Sequence, residues 1–146
     1  MDGRTQVWNI GYQRQTIESL LVQLRGAHIQ QLIDVRESGG SRRSEFCRRP
    51  LANSMKTAGI RYLHRPDAGN PFRQDPTAGL DGYRAHVDAR PQLIDALAAL
   101  VRNHRTALLC MCANRAGCHR GVLLEALEGR GFETIDLPAE RQLSLL

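Results

Sequence analysis

Thr106-Ala-Leu-Leu-Cys-Met-Cys112 is a continuous apolar run, and Cys118-His119-Arg120 follows it closely. An uninterrupted run of this length reads as a strand buried on both faces, the kind found inside a parallel sheet. Val122, Leu123, Ala126 and Leu127 then recur at helical spacing, and Gly129 and Gly131 end the pattern. The stretch therefore reads as strand, turn, helix, with three chemically active residues at the turn.

The same alternation extends in both directions. Gln6–Gly11 is an apolar run ending in glycine and reads as a first strand. Thr16 suits an N-cap, and Ile17, Leu20, Leu21 and Leu24 line one helix face before Gly26. Residues 31–36 (QLIDVR) read as a second strand, followed by a polar, glycine-bearing loop. Pro50 fits the first turn of a helix whose face carries Leu51, Met55 and Ala58, with Gly59 past its end. Residues 60–63 read as a third strand.

His64–Gly82 is irregular, with three prolines, and reads as a lid or a disordered excursion. A short helical turn near Tyr83–Ala89 precedes a helix starting at Pro91 and closing at Asn103 or His104. Phe132–Leu137 reads as the last strand, and 138–146 as a C-terminal tail. Strands alternating with helices imply a single α/β domain over 1–146, three-layered and Rossmann-like, with about five mostly parallel strands and helices on both faces. In such folds ligands bind beyond the carboxyl ends of the strands.

Composition narrows the function. The chain has 146 residues, 42% hydrophobic and 24% charged, as expected of one globular domain. No apolar stretch approaches the ~18–20 residues of a membrane span. The N-terminus lacks the apolar run of a secretory signal, so the expectation is a cytoplasmic protein without a membrane partner. Three Phe, three Tyr and one Trp are too few for an aromatic-lined single-strand-binding surface. Of 20 basic residues only Lys56 is lysine. A GC-rich genome produces arginine in place of lysine, but it does not place it. Residues 36–73 hold nine basic and three acidic residues, +6, while the rest of the chain is −1. That asymmetry points to a local anionic partner.

Three groups of residues carry candidate chemistry. Cys110 and Cys112 lie two apart on a strand and face one side; Cys110 reads as a small core residue, and Cys112 stands at the strand's end. Cys118, His119 and Arg120 lie at a helix start, where thiol pKa falls and anions bind. Cysteine phosphatases and sulfurtransferases also put a cysteine on such a turn, but the phosphatase loop ends in Arg at its sixth position, where this chain has Cys118. The spacing C-x-C then C-H matches no common zinc pattern, so no metal and no cofactor are expected. The second group is Asp34 and Arg36 with Ser41, Arg42, Arg43 and Phe46. A carboxylate at a strand end can orient an arginine or take a proton, and Ser-Arg-Arg suits an oxyanion; the plainer alternative is a solvated loop with Asp34 as a structural partner for Arg36. The third is Tyr62-Leu-His64, whose histidine serves equally as a structural hydrogen-bonder.

In order along the chain, Ile-Gly-Tyr at 10–12, Asp-Val-Arg at 34–36, Ser-Arg-Arg at 41–43 with Phe46, Gly-Ile-Arg-Tyr-Leu-His at 59–64 and Leu-Leu-Cys-Met-Cys-Ala with Cys-His-Arg across 108–120 resemble the "domain of unknown function 488" family. The resemblance covers about residues 7–137. It implies a small Rossmann-like α/β domain and no established activity. Relatives usually carry an acid two residues after the strand-four cysteine and a longer loop; here the position is Asn114 and the loop is short.

The resulting expectation is a site for an anionic, nucleotide-like or phosphate-bearing ligand at the carboxyl edge of the sheet. Tyr12, Arg36, Ser41, Arg42, Arg43, Asn114, Arg115 and Arg120 would bind it. Cys118 or Cys112 would be the nucleophile, His64 or His119 the proton carrier and Asp34 the orienter, serving hydrolysis or group transfer. The alternatives are a non-catalytic nucleic-acid-binding module built on 36–73 and, more weakly, a zinc-stabilised structural domain.

Overall fold

The computed structural model describes residues 5–72, 79–112 and 118–137. Five strands form one parallel sheet: β1 (Gln6–Gly11), β2 (Gln31–Asp34), β3 (Arg61–His64), β4 (Thr106–Cys110) and β5 (Glu133–Asp136), in the order β3-β2-β4-β1-β5. Five α-helices connect them: α1 (Ile17–Gly26), α2 (Arg48–Thr57), α3 (Gly79–Asp88), α4 (Pro91–Asn103) and α5 (His119–Glu128). Alternation along the strands divides the core in two. Val7, Ile33, Leu108 and Cys110 pack against α3, α4 and α5. Trp8, Ile10, Leu32, Ala107 and Leu109 pack against α1 and α2. No helix among the described residues is long and apolar enough to cross a membrane.

Local signals act where the sequence places them. The Thr16 hydroxyl accepts from the Ser19 amide, and the Ser19 hydroxyl accepts from the Thr16 amide, so α1 begins with a reciprocal cap. Pro91 opens α4, as expected of a residue whose missing N–H has no helical partner there.

Three boundaries differ from the sequence reading by more than one residue. The β2 ladder stops at Asp34 rather than Arg36, because Arg36 turns inward to pair with Asp34. The β4 ladder stops at Cys110 rather than Cys112, and Met111 is half exposed. The turn expected near Tyr83–Ala89 is a full helix, Gly79–Asp88. Its two glycines disfavour helix locally, but burial of Tyr83 and Val87 on one face overrides propensity. The described part of the loop after β3 packs against the fold. Ala68, Gly69 and Asn70 are buried, and the Tyr83 hydroxyl donates to the Ala68 carbonyl at 2.6 Å. Gly69 is required there, since a Cβ would stand 2.3 Å from the Cα of Glu37. The remainder of the expected lid, 73–78, lies outside the described residues.

The strand order positions the site. The chain leaves β1 and β2 toward the α1/α2 face, but leaves β4, which lies between them, toward the α5 face. Connections that diverge to opposite faces open a crevice at the carboxyl ends of the strands, where ligands bind in open parallel sheets.

Candidate functional site at the carboxyl edge

Two networks meet at this edge, one on each face of the sheet. On the α1/α2 face the centre is Asp34, fully buried at the end of β2. Its carboxylate accepts from Arg36 Nε at 2.8 Å, Arg36 Nη2 at 2.7 Å and the Tyr62 hydroxyl at 2.5 Å. Arg36 Nη1 donates to the Phe46 carbonyl at 2.9 Å and more weakly to the Tyr12 hydroxyl and the Gly40 carbonyl. Burial opposes the Arg36 charge, but the two-point pairing with Asp34 outweighs it, and its pKa rises. Burial first, and then its bond to Asp34, raises the Tyr62 hydroxyl pKa as well. Tyr12 stacks on Phe46 with ring centroids 4.6 Å apart. Arg43 lies over the Phe46 ring at 4.5 Å and pairs with Glu45. The Ser41 hydroxyl accepts from the Arg43 amide.

On the α5 face the centre is sulfur. The Sγ atoms of Cys110, Cys112 and Cys118 lie within 4.8 Å of one another. Cys110 reaches the cluster from the last position of β4, Cys112 from just beyond it, and Cys118 from the N-cap of α5. His119 Nδ1 lies 3.9 Å from both Cys110 Sγ and Cys118 Sγ. Its Nε2 donates to the Val35 carbonyl at 2.8 Å, which fixes the ring orientation and turns Nδ1 toward the sulfurs. Arg120 is fully buried; it donates to the Ile10 carbonyl at 2.8 Å and the Cys112 carbonyl at 2.9 Å. No carboxylate among the described residues pairs with it. Hydrogen bonds from Cys112 and Cys118, against the opposing effect of burial and with help from the Arg120 charge, pull the Cys110 thiol down to about 3. The same bonds push Cys112 and Cys118 up. Within the cluster, negative charge is favoured on Cys110 and disfavoured on Cys112 and Cys118.

The two networks share one stretch of backbone. His119 bonds the Val35 carbonyl from one side, and His64 Nε2 bonds the Arg36 carbonyl at 2.8 Å from the other.

The structure thus gathers Tyr12, Asp34, Arg36, His64, Cys112, Cys118, His119 and Arg120 at one edge, with Ser41, Arg42 and Arg43 on the loop beyond β2. Asn114 and Arg115 lie outside the described residues. Two expected anion ligands face inward. Arg36 and Arg120 use their donors on Asp34 and on backbone carbonyls, so they are ties within the fold. Arg43 is half committed to Glu45. Arg42 is exposed and has no hydrogen-bond or ion-pair partner among the described residues. The +6 segment is also divided. Arg42, Arg48 and Arg49 stand at the carboxyl edge, while Lys56 and Arg61, at the end of α2 and the start of β3, stand at the opposite edge.

Cys110 was read as core, and it is buried, but its sulfur is also the hub of the cluster. The signal available was its shared face with Cys112. A separate open cavity of about 360 Å³ lies at the amino edge, around Trp8, His104 and Arg105. It contains neither cysteine nor carboxylate and has no part in this site.

The model of a family described as "Domain of unknown function DUF488" matches residues 16–127, which span all of the elements that build this edge except β1. No curated protein and no solved structure is significantly similar to the chain.

Proposed function

The chain belongs to the DUF488 family, whose name states no activity, and we propose from the site itself that it binds a phosphate-bearing, nucleotide-like anion at the carboxyl edge and acts on it through a cysteine. The observation that carries this reading is the cluster of three sulfurs beside the buried Arg120, seated where the connections of β4 and its neighbours diverge. A thiolate is the nucleophilic form of cysteine, and positive charge beside it favours that form. His119 Nδ1, 3.9 Å from the sulfurs of Cys110 and Cys118, serves as the proton carrier. Arg42, Arg48 and Arg49 supply the unpaired charge that draws the anion to this edge. The Asp34–Arg36 pair holds the loop bearing Arg42 and plays no part in the chemistry. The reaction class is hydrolysis or transfer at the anion.

Alkylation of the metal-free protein across pH, with the modified cysteine identified by mass spectrometry, tests this reading. At least one of the three thiols is expected to react well below pH 8, and pyrophosphate or a nucleoside diphosphate is expected to protect it. Three thiols titrating at the free value of about 8.5, with no protection, would dismiss it.

A second reading has its own observation. Arg42, Arg48, Arg49, Lys56 and Arg61 have no ion-pair partner among the described residues, and such charges suit a nucleic-acid backbone. Duplex or single-strand binding whose log–log salt slope grows by roughly 0.9 per phosphate neutralised would favour it.

A further inference from the structure

We infer that Cys110, Cys112, Cys118 and His119 form a binding site for a soft divalent metal ion, zinc above all, with three thiolates and one imidazole as its ligands. The inference uses the same sulfur cluster as the proposed function but is independent of the anion.

Geometry carries it. Zinc takes four ligands in a tetrahedron, with Zn–S about 2.3 Å and Zn–N about 2.0–2.1 Å, so its sulfurs stand about 3.7 Å apart and sulfur and nitrogen about 3.5 Å apart. The three Sγ atoms already lie within 4.8 Å of one another, and His119 Nδ1 lies 3.9 Å from two of them. The sulfurs reach zinc spacing by drawing together by about 1.1 Å or less and Nδ1 by about 0.4 Å toward Cys110 and Cys118, and rotation of the His119 and Cys112 side chains would close the remaining contact. The histidine is prepared for the role. A metal-bound imidazole donates its other N–H to a carbonyl or carboxylate, which sets the tautomer and aims the ligating nitrogen. His119 does this through Nε2 and the Val35 carbonyl, leaving Nδ1 turned to the sulfurs.

Charge agrees with geometry. A fully buried guanidinium needs an anionic neighbour, and Arg120 has no carboxylate partner among the described residues. Zinc with three thiolates and a neutral histidine carries a net −1, the complement of that charge. Arg120 also donates to the Cys112 carbonyl, so it braces the backbone of one ligand. Binding is balanced as follows: each cysteine that arrives as a thiol loses its proton to water and forms a metal–sulfur bond, and nothing is oxidised or reduced.

The unusual spacing, C-x-C followed by C-H, is what hides the site in the sequence. Adjacent residues such as Cys118 and His119 seldom converge on one ion. Here Cys118 is the N-cap and His119 the first residue of α5, and the change from extended to helical backbone between them brings both side chains to the same point. With all four positions filled by protein, the ion closes the site and ties the end of β4 to the start of α5. The bound thiolates are then ligands and are withdrawn from nucleophilic chemistry, so metal occupancy and thiol reactivity exclude one another.

Titration of the reduced, full-length chain with Co²⁺ tests the inference, followed by displacement with Zn²⁺. The expected result is saturation at one ion per chain, with an intense visible spectrum of tetrahedral cobalt and a thiolate-to-cobalt charge-transfer band, both abolished by zinc. At saturation Cys118→Ser and Cys112→Ser should each lower the charge-transfer intensity by about a third and weaken cobalt binding, and His119→Gln should alter the visible spectrum while retaining the full thiolate band. Two variants are used because Cys118 is buried and Cys112 is not; circular dichroism establishes that each is folded. Absence of the thiolate band in the wild-type protein would overturn the inference, as would a band that keeps its full intensity and affinity in both cysteine variants. Cobalt binding without nucleotide protection would uphold the metal site and sink the anion reading. Early-reacting, nucleotide-protected thiols without cobalt binding would do the reverse.

Discussion

Arg36 and Arg120 are both buried arginines at the carboxyl edge, on opposite faces of one sheet, and they live in different chemistry. Arg36 faces a carboxylate that holds it at two points, and its remaining donors go to carbonyls and a tyrosine hydroxyl. Its surroundings are complete. Arg120 faces sulfur. It holds two carbonyls, its Nε finds no partner among the described residues, and its charge is opposed only by a thiol cluster that can ionise or take a metal. A closed network of permanent charges fixes shape, whereas an adjustable anion beside a buried cation is a place where protons, metals or substrates exchange. The comparison separates a structural half of the edge from a reactive half, although both carry the residue types of an active site.

The largest expected effect breaks that comparison at its two arginines. Arg36→Met leaves the Asp34 carboxylate buried without its cation, and removing one partner of such a pair costs about 3–5 kcal/mol. Arg120→Met strands no carboxylate and deprives two carbonyls of donors, at about 1–3 kcal/mol each at most. Arg36→Met also takes a donor from the Phe46 carbonyl, and with the stranded carboxylate added to that loss it should be the more damaging in urea unfolding. Alkylation should rank them the other way, with Arg120→Met slowing the early-reacting thiol and Arg36→Met leaving its pH profile in place. Equal effects of both on thiol reactivity would remove the division between the halves.

That division was only partly legible in the sequence. The apolar run at 106–110, the Thr16 cap and the Pro91 helix start are local signals, and local signals produced the strand–helix alternation. The position of β4 between β2 and β1 is set by pairing across distant parts of the chain, which no window of sequence contains. The same holds for Arg36. Nothing in Asp-Val-Arg announces that the Gly40 and Phe46 carbonyls will turn back onto the guanidinium, so an arginine fully occupied by the fold read as an anion ligand. Arg120 misled for the same reason. Cys110 was half legible: strand periodicity placed it beside Cys112, but the approach of Cys118 depends on how the chain returns to begin α5.

A smaller effect sharpens the structural half through pH. The Tyr62 hydroxyl is neutral in the fold, and its pKa is raised by burial and by its bond to Asp34. A raised folded-state pKa means that the unfolded chain ionises first. The associated stability is complete below the unfolded tyrosine value of about 10 and declines as pH rises from there toward the folded value. Tyr62→Phe should therefore flatten the alkaline decline in stability. Tyr83, raised by its own burial, supplies the part that remains. An unchanged alkaline limb in the variant would mean that the hydroxyl is not held by Asp34 in solution.

The smallest effect on stability belongs to Arg42, where the functional contrast is sharpest. Its side chain is exposed and has no partner among the described residues, so Arg42→Ala should change unfolding free energy by no more than about ±0.5 kcal/mol. It removes an unpaired cation from the carboxyl edge, and affinity for pyrophosphate should fall, more at low salt than at high, because the lost term is a screened attraction. Lys56→Ala is the matched control. It removes the same charge from the same basic segment, but at the other end of α2, away from the sulfur cluster. If position decides, Arg42→Ala weakens binding and Lys56→Ala does not. If net charge alone decides, both weaken it equally, and the +6 segment acts as a diffuse polyanion surface with no anion site at the carboxyl edge.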